Sequence, residues 1–150
     1  MSSLTHEENT ADKTITGSCL CGAVKYQYTG DPRGFQYCHC SRCQKSSGSA
    51  HGSFMFVASE QFKWLSGADL VTRYEVPDAQ FYASCFCSRC GSSLPWEVKG
   101  ANTIAIPAGT LDQDPGVRPR RNIFFDYRAC WFESSSELEC FPEGPVRNKA

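Results

Sequence analysis

The chain has 150 residues and a formal net charge of −1, with 41% apolar and 13% aromatic residues. That composition supports a hydrophobic core and excludes general disorder. Charges of both signs are spread along the chain, which excludes a nucleic-acid binder relying on a concentrated positive field. No apolar run approaches the ~18–20 residues that span a bilayer, so no membrane partner is expected.

Residues 1–13 are polar and have neither the basic start nor the apolar stretch of an export signal, so they read as a flexible tail. The reducing cytoplasm is the compartment this implies. Residues 14–150 read as one domain with no internal linker. A first strand is expected over Ala23–Tyr28, ending at Gly30-Asp31-Pro32. The cysteine run Cys38–Cys43 leads into a helical turn that begins near Ser41 and stops before Gly48. Strands are then expected over Gly52–Val57, Phe62–Leu65, Leu70–Tyr74, Phe81–Ser84, Leu94–Val98, Thr103–Pro107 and Asn122–Phe125, with a last one near Leu138–Phe141. Breaks at Ser66-Gly67, Pro77-Asp78, Lys99-Gly100 and Asp114-Pro115-Gly116 separate them. Many short strands with regular turns predict a mainly β architecture, as a sandwich, barrel or folded sheet.

Ten cysteines in a reducing compartment point to metal ligands or reactive thiols rather than disulfides. Neighbours such as Cys19 and Cys21 are too close in sequence to bridge without strain. In Cys87-x-x-Cys90-Gly91 a turn brings two sulfurs to one metal, and the glycine permits the positive φ that follows. Cys19-x-Cys21-Gly22 is a tighter version. Pairing the two gives a closed four-thiolate site with no open position, hence a structural one. Cys38, Cys40 and Cys43 have no such partner. Three thiolates with a vacant fourth position make an electron-rich metal, suited to holding a thiol rather than to activating water.

His39 alternates with its cysteine neighbours and should point away from them. The pattern C-x-C-S-R-C occurs at Cys38–Cys43 and again at Cys85–Cys90. By spacing Cys85 is a ligand of either metal or a buried small hydrophobe, and burial is the simpler reading. Cys130 and Cys140 are expected to pack among aromatics. His51, Trp96 and Trp131 are candidates to line a pocket beside the open site or to serve in the core. Arg118, Arg120 and Arg121 form either a solvated loop or an anchor for a carboxylate.

Three motifs carry a family resemblance: Gly17-Ser18-Cys19-Leu20-Cys21-Gly22-Ala23-Val24, then Cys38-His39-Cys40-x-x-Cys43, then Phe86-Cys87-x-x-Cys90-Gly91-Ser92. In this order they resemble the glutathione-dependent formaldehyde-activating enzyme family, whose centromere-protein-V-like relatives share the domain. Ala108-Gly109-Thr110-Leu111-Asp112, Ile123-Phe124-Phe125 and Trp131 are similar to its C-terminal half, so the likeness runs from about Thr14 to Phe141. It implies an Mss4-like (β-tent) fold of folded antiparallel sheets with two zincs. The structural zinc would fall on Cys19, Cys21, Cys87 and Cys90, and the catalytic zinc on Cys38, Cys40 and Cys43. The implied activity joins glutathione and formaldehyde into S-hydroxymethylglutathione, formally a carbon–sulfur lyase reaction in reverse. The expected partner is a small thiol such as glutathione, and exposed aromatics would permit a homodimer. Two residues depart from the family pattern: Asn122 stands where many members have His, and Cys85 is an addition. The alternative is a non-catalytic zinc-stabilised binding module, with the second cluster closed by a fourth ligand such as Cys85.

Overall fold

The computed structural model describes residues 13–134 and 137–145. Apart from Lys13, the expected tail lies outside them. The strands are β1 (Thr14–Ser18), β2 (Lys25–Thr29), β3 (Gly34–Cys38), β4 (Gly52–Ala58), β5 (Phe62–Ser66), β6 (Val71–Glu75), β7 (Ala83–Cys87), β8 (Ser93–Leu94), β9 (Trp96–Glu97), β10 (Thr103–Pro107) and β11 (Asn122–Ile123). One α-helix, α1 (Ser41–Ser47), accompanies them among the described residues, and none is long and apolar enough to cross a membrane. The mainly β expectation is borne out.

The strands form three sheets, ordered β1-β2-β5, β11-β3-β4-β10-β9 and β6-β7-β8. Pairing is antiparallel except between β11 and β3, which run parallel. The five-stranded sheet is covered on both faces, and strand alternation explains how. In β4, Met55 and Val57 point to one side, where they pack with Ile15, Tyr26 and Tyr28 of the first sheet. Phe54 and Phe56 point to the other side, against Ala83, Cys85, Cys87 and Leu94 of the third. β10 divides likewise, with Ile104 and Ile106 in the first core and Ala105 in the second. Such two-sided burial gives β4 its nearly continuous apolar run.

Several boundaries differ from the sequence reading. β1 and β3 were not expected. The run Leu94–Val98 is split at Pro95, with β8 in the third sheet and β9 in the central one. Proline has no N–H for the ladder, so pairing stops there and the chain changes sheets. The expected Phe81–Ser84 strand starts two residues later as β7. Asn122–Phe125 keeps only its first two residues, because Phe124 turns into the left-handed region (φ 53°). Leu138–Phe141 is not a strand. The helix ends where expected, with Gly48 in the left-handed conformation and its N–H on the Gln44 carbonyl.

Candidate metal centres

Cys19 and Cys21 sit on the turn between β1 and β2, and Cys87 and Cys90 on the turn between β7 and β8. The fold brings their four sulfurs within 4.8 Å of one another. Cys19 and Cys21 Sγ are 3.5 Å apart, and Cys21 and Cys87 Sγ 4.0 Å. A tetrahedral ion with M–S bonds near 2.3 Å needs sulfur–sulfur edges of about 3.8 Å, so this donor set fits zinc. Both glycines after the motifs take the positive φ expected of them, 77° at Gly22 and 74° at Gly91. The turns also supply donors to sulfur: Val24 N–H points at Cys19 Sγ (3.3 Å). Ser92 Oγ accepts the Leu20 N–H at 2.8 Å and lies 3.2 Å from Cys90 Sγ, tying the two turns together. That contact with Ser92 is the first of the hydrogen bonds that lower the Cys90 thiol to about 5, while its cluster neighbour Cys21 is raised to about 11.

Cys38, Cys40 and Cys43 form a second cluster with the same 4.8 Å spacing. Cys38 ends β3, Cys40 caps α1, and Cys43 lies in the first turn of the helix, where its N–H reaches back to Cys40 Sγ (3.4 Å). The hydrogen bond from Cys43 lowers the Cys38 thiol to about 6, while Cys43 itself is pushed well up. The lowered Cys38 thiol is the negative charge that a cation held between the three sulfurs would neutralise. Among the described residues no fourth cysteine, histidine or carboxylate joins them.

Cys85 stays apart because it lies two residues before Cys87 on one strand. Its sulfur is in neither of the groups whose ligand atoms lie within 4.8 Å of one another. It is buried in the core, and that burial raises its thiol pKa. In the first copy of the motif the strand ends at Cys38, and the chain folds back so that Cys40 meets it.

His39 points to the opposite side of the central sheet from the cluster. It is fully buried, with Nε2 2.9 Å from Asn122 Oδ1 and its ring beside His51, Phe125 and Phe132. Asn122 therefore supports the strand leading into the cluster. His51 stacks on Tyr37 on this same far side.

A cavity of about 610 Å³ opens over Cys38, Cys40 and Cys43, with Trp96 among its walls. His51 and Trp131 do not line it, and Trp131 is 65% exposed. Cys130 and Cys140 are exposed rather than packed, which corrects that expectation. Their aromatic surroundings in sequence are themselves largely on the surface.

Arg118, Arg120 and Arg121 line a different cavity of about 440 Å³, shared with Arg33. Arg118 is paired with Asp114, and Arg121 donates to Gln36 Oε1. The cation on the cysteine cavity is instead Arg42, beside Gln36, Gln80 and Tyr82. Sequence reasoning missed these four. The repeated Ser-Arg step inside the cysteine motif was the available signal for Arg42.

Sequence-distant cysteines converge in two clusters, one of them facing a cavity, and give this mainly β protein two sulfur donor sets that could hold metal. Residues 14–127 match the glutathione-dependent formaldehyde-activating enzyme family, well over half of the chain, and the chain belongs to that family. It is also similar to a solved structure of a Rhodobacter sphaeroides protein. The two are 20% identical, with 71% of this chain and 98% of that one covered at a TM-score of 0.55, a likeness of fold.

Proposed function

We propose that the protein is a zinc-dependent enzyme of carbon–sulfur lyase type that makes or breaks the adduct of a small thiol with an aldehyde, as its family name suggests for glutathione and formaldehyde. The observation that carries this reading is the three-sulfur cluster facing a cavity with no fourth protein donor among the described residues. Zinc on Cys38, Cys40 and Cys43 would supply a site at which a thiol sulfur is held as thiolate. A second zinc on Cys19, Cys21, Cys87 and Cys90 would be closed and structural.

The chain's own groups complete the site. Arg42 offers charge-assisted donors to an anionic group of the substrate. Tyr82 lines the cavity and its hydroxyl meets Ser46 Oγ at 2.5 Å. Burial raises that phenol to about 12, so it remains a proton-bearing donor at neutral pH, able to hydrogen-bond the adduct's oxygen. The aromatic walls limit water around the reacting sulfur. The binding-module alternative needed a fourth ligand on the second cluster, and among the described residues neither Cys85 nor any other such donor joins its three sulfurs, which weighs for the enzyme.

The test is formaldehyde–thiol exchange followed by NMR on zinc-replete protein, with metal content measured alongside. Two zincs per chain and a rate above the uncatalysed one are expected. Cys43→Ser should keep the fold and one zinc while losing at least ~10²-fold in rate. A folded Cys43→Ser protein with unchanged rate removes the catalytic reading.

A further inference from the structure

The cysteine cavity is far larger than a hydroxymethyl group alone requires, and much of its wall is apolar. Its volume of about 610 Å³ lies within the range of about 300–1,000 Å³ typical for small organic ligands. A hydroxymethyl group would occupy a small part of it. Phe54, Phe56, Phe81, Trp96, Ile123 and Phe124 supply most of the wall. Among the described residues, Arg42 is the one charged side chain on it beyond the cysteines, and none of its lining residues is a carboxylate. Glutathione carries two carboxylates and an ammonium group. One guanidinium and no acid on the described wall offer its ammonium no charged partner there, so that group stays in solvent and adds nothing to binding.

Two of the wall residues are conspicuously uncovered. Phe81 and Phe124 are each 57% exposed. They come from separate segments, the loop before β7 and the residue after β11. Phe124 is also the only non-glycine residue with positive φ among those described (φ 53°, ψ 36°). For an aromatic side chain this conformation costs roughly 1–3 kcal/mol and persists where the surrounding structure enforces it. Here the twist ends β11 at Ile123 and leaves the Phe124 ring on the cavity wall. Strain held at a cavity beside a cysteine cluster, together with bare aromatic rings, marks a surface that a ligand covers.

Narrowing the thiol reading above, we infer that the cavity binds a thiol, or its aldehyde adduct, whose body is an apolar group of phenyl size or larger. Phe81 and Phe124 grip that group, and the sulfur lies towards Cys38, Cys40 and Cys43. Glutathione is the weaker ligand.

Titration calorimetry of zinc-loaded protein with phenylmethanethiol, 2-mercaptoethanol and glutathione tests this. Phenylmethanethiol should bind at least about tenfold more tightly than either other thiol, the scale expected for burying one ring. Phe81→Ala and Phe124→Gly should each remove most of that preference and leave 2-mercaptoethanol binding unchanged. Glycine at position 124 relieves the backbone strain, so lost affinity there will not reflect lost stability; thermal melts of the variant check this. Equal affinities, tighter binding of glutathione, or a preference surviving both substitutions overturns the inference. No binding by any of the three thiols overturns the underlying thiol reading as well.

Discussion

At the scale of single residues, what decides a cysteine's role is the geometry around it rather than the spacing of the motif. Cys38 and Cys85 occupy the same offset in two copies of one pattern, yet only Cys38 joins a cluster. The difference is where the strand stops: β3 ends at Cys38, whereas β7 continues through Cys85 to Cys87. Replacing Cys85 with alanine should therefore leave metal content unchanged and cost about 1 kcal/mol through a small core void, read from plasma emission spectroscopy and urea melts. A lost metal equivalent would make Cys85 a ligand after all. The four-cysteine pairing was legible because Gly22 and Gly91 mark the turns that bring two sulfurs together. The orientation of His39 was legible from simple alternation. The exposure of Cys130 and Cys140 was not, because aromatic neighbours in sequence suggest burial only when tertiary partners exist for them.

Among the elements, the hairpin β1–β2 shows how a small residue sets up a ligand turn. Gly17 faces Tyr26 across the pair, and a Cβ at Gly17 would come within 2.2 Å of the Tyr26 ring. That ring is fully buried and its hydroxyl is fixed to Thr110 Oγ1 at 2.6 Å, so it cannot swing aside. Gly17→Ala should lower stability by roughly 1–3 kcal/mol through overpacking, visible in chemical denaturation. Wild-type stability would mean the ring can move. The same small residue explains why β1 escaped the sequence reading: Gly17 and Ser18 are poor strand formers, and the strand exists because β2 and the Tyr26 ring accept them. β3 was hidden for a similar reason, lying between Pro32 and the cysteine motif. The split at Pro95 did carry a signal, since proline inside an apparent strand argues against continuity. Phe124 carried none, because an aromatic residue after Asn-Ile reads as more strand.

For the whole molecule, the four-cysteine cluster joins two sheets that lie on opposite faces of the central one. It ties the β1–β2 turn of the first sheet to the β7–β8 turn of the third. Structural zinc sites contribute apparent binding free energies of ~10–16 kcal/mol, comparable with or above the ~5–15 kcal/mol net stability of an ordinary domain. Cys87→Ser, or a strong chelator, should therefore abolish the cooperative thermal transition and collapse the near-ultraviolet circular dichroism. Cys43→Ser should spare both. An unaltered melt for Cys87→Ser would deny the cluster its structural role. Pro95 then has a bearing on how the two cysteine clusters are joined through the fold. It is fully buried, and on either side of it Leu94 belongs to the sheet that carries Cys87 while Trp96 stands in the wall of the cavity over Cys38, Cys40 and Cys43. A rigid one-residue joint between them means that anything shifting the third sheet moves the cavity wall as well. A ligand seated against Trp96 therefore rests on a wall one proline removed from the sheet that carries Cys87.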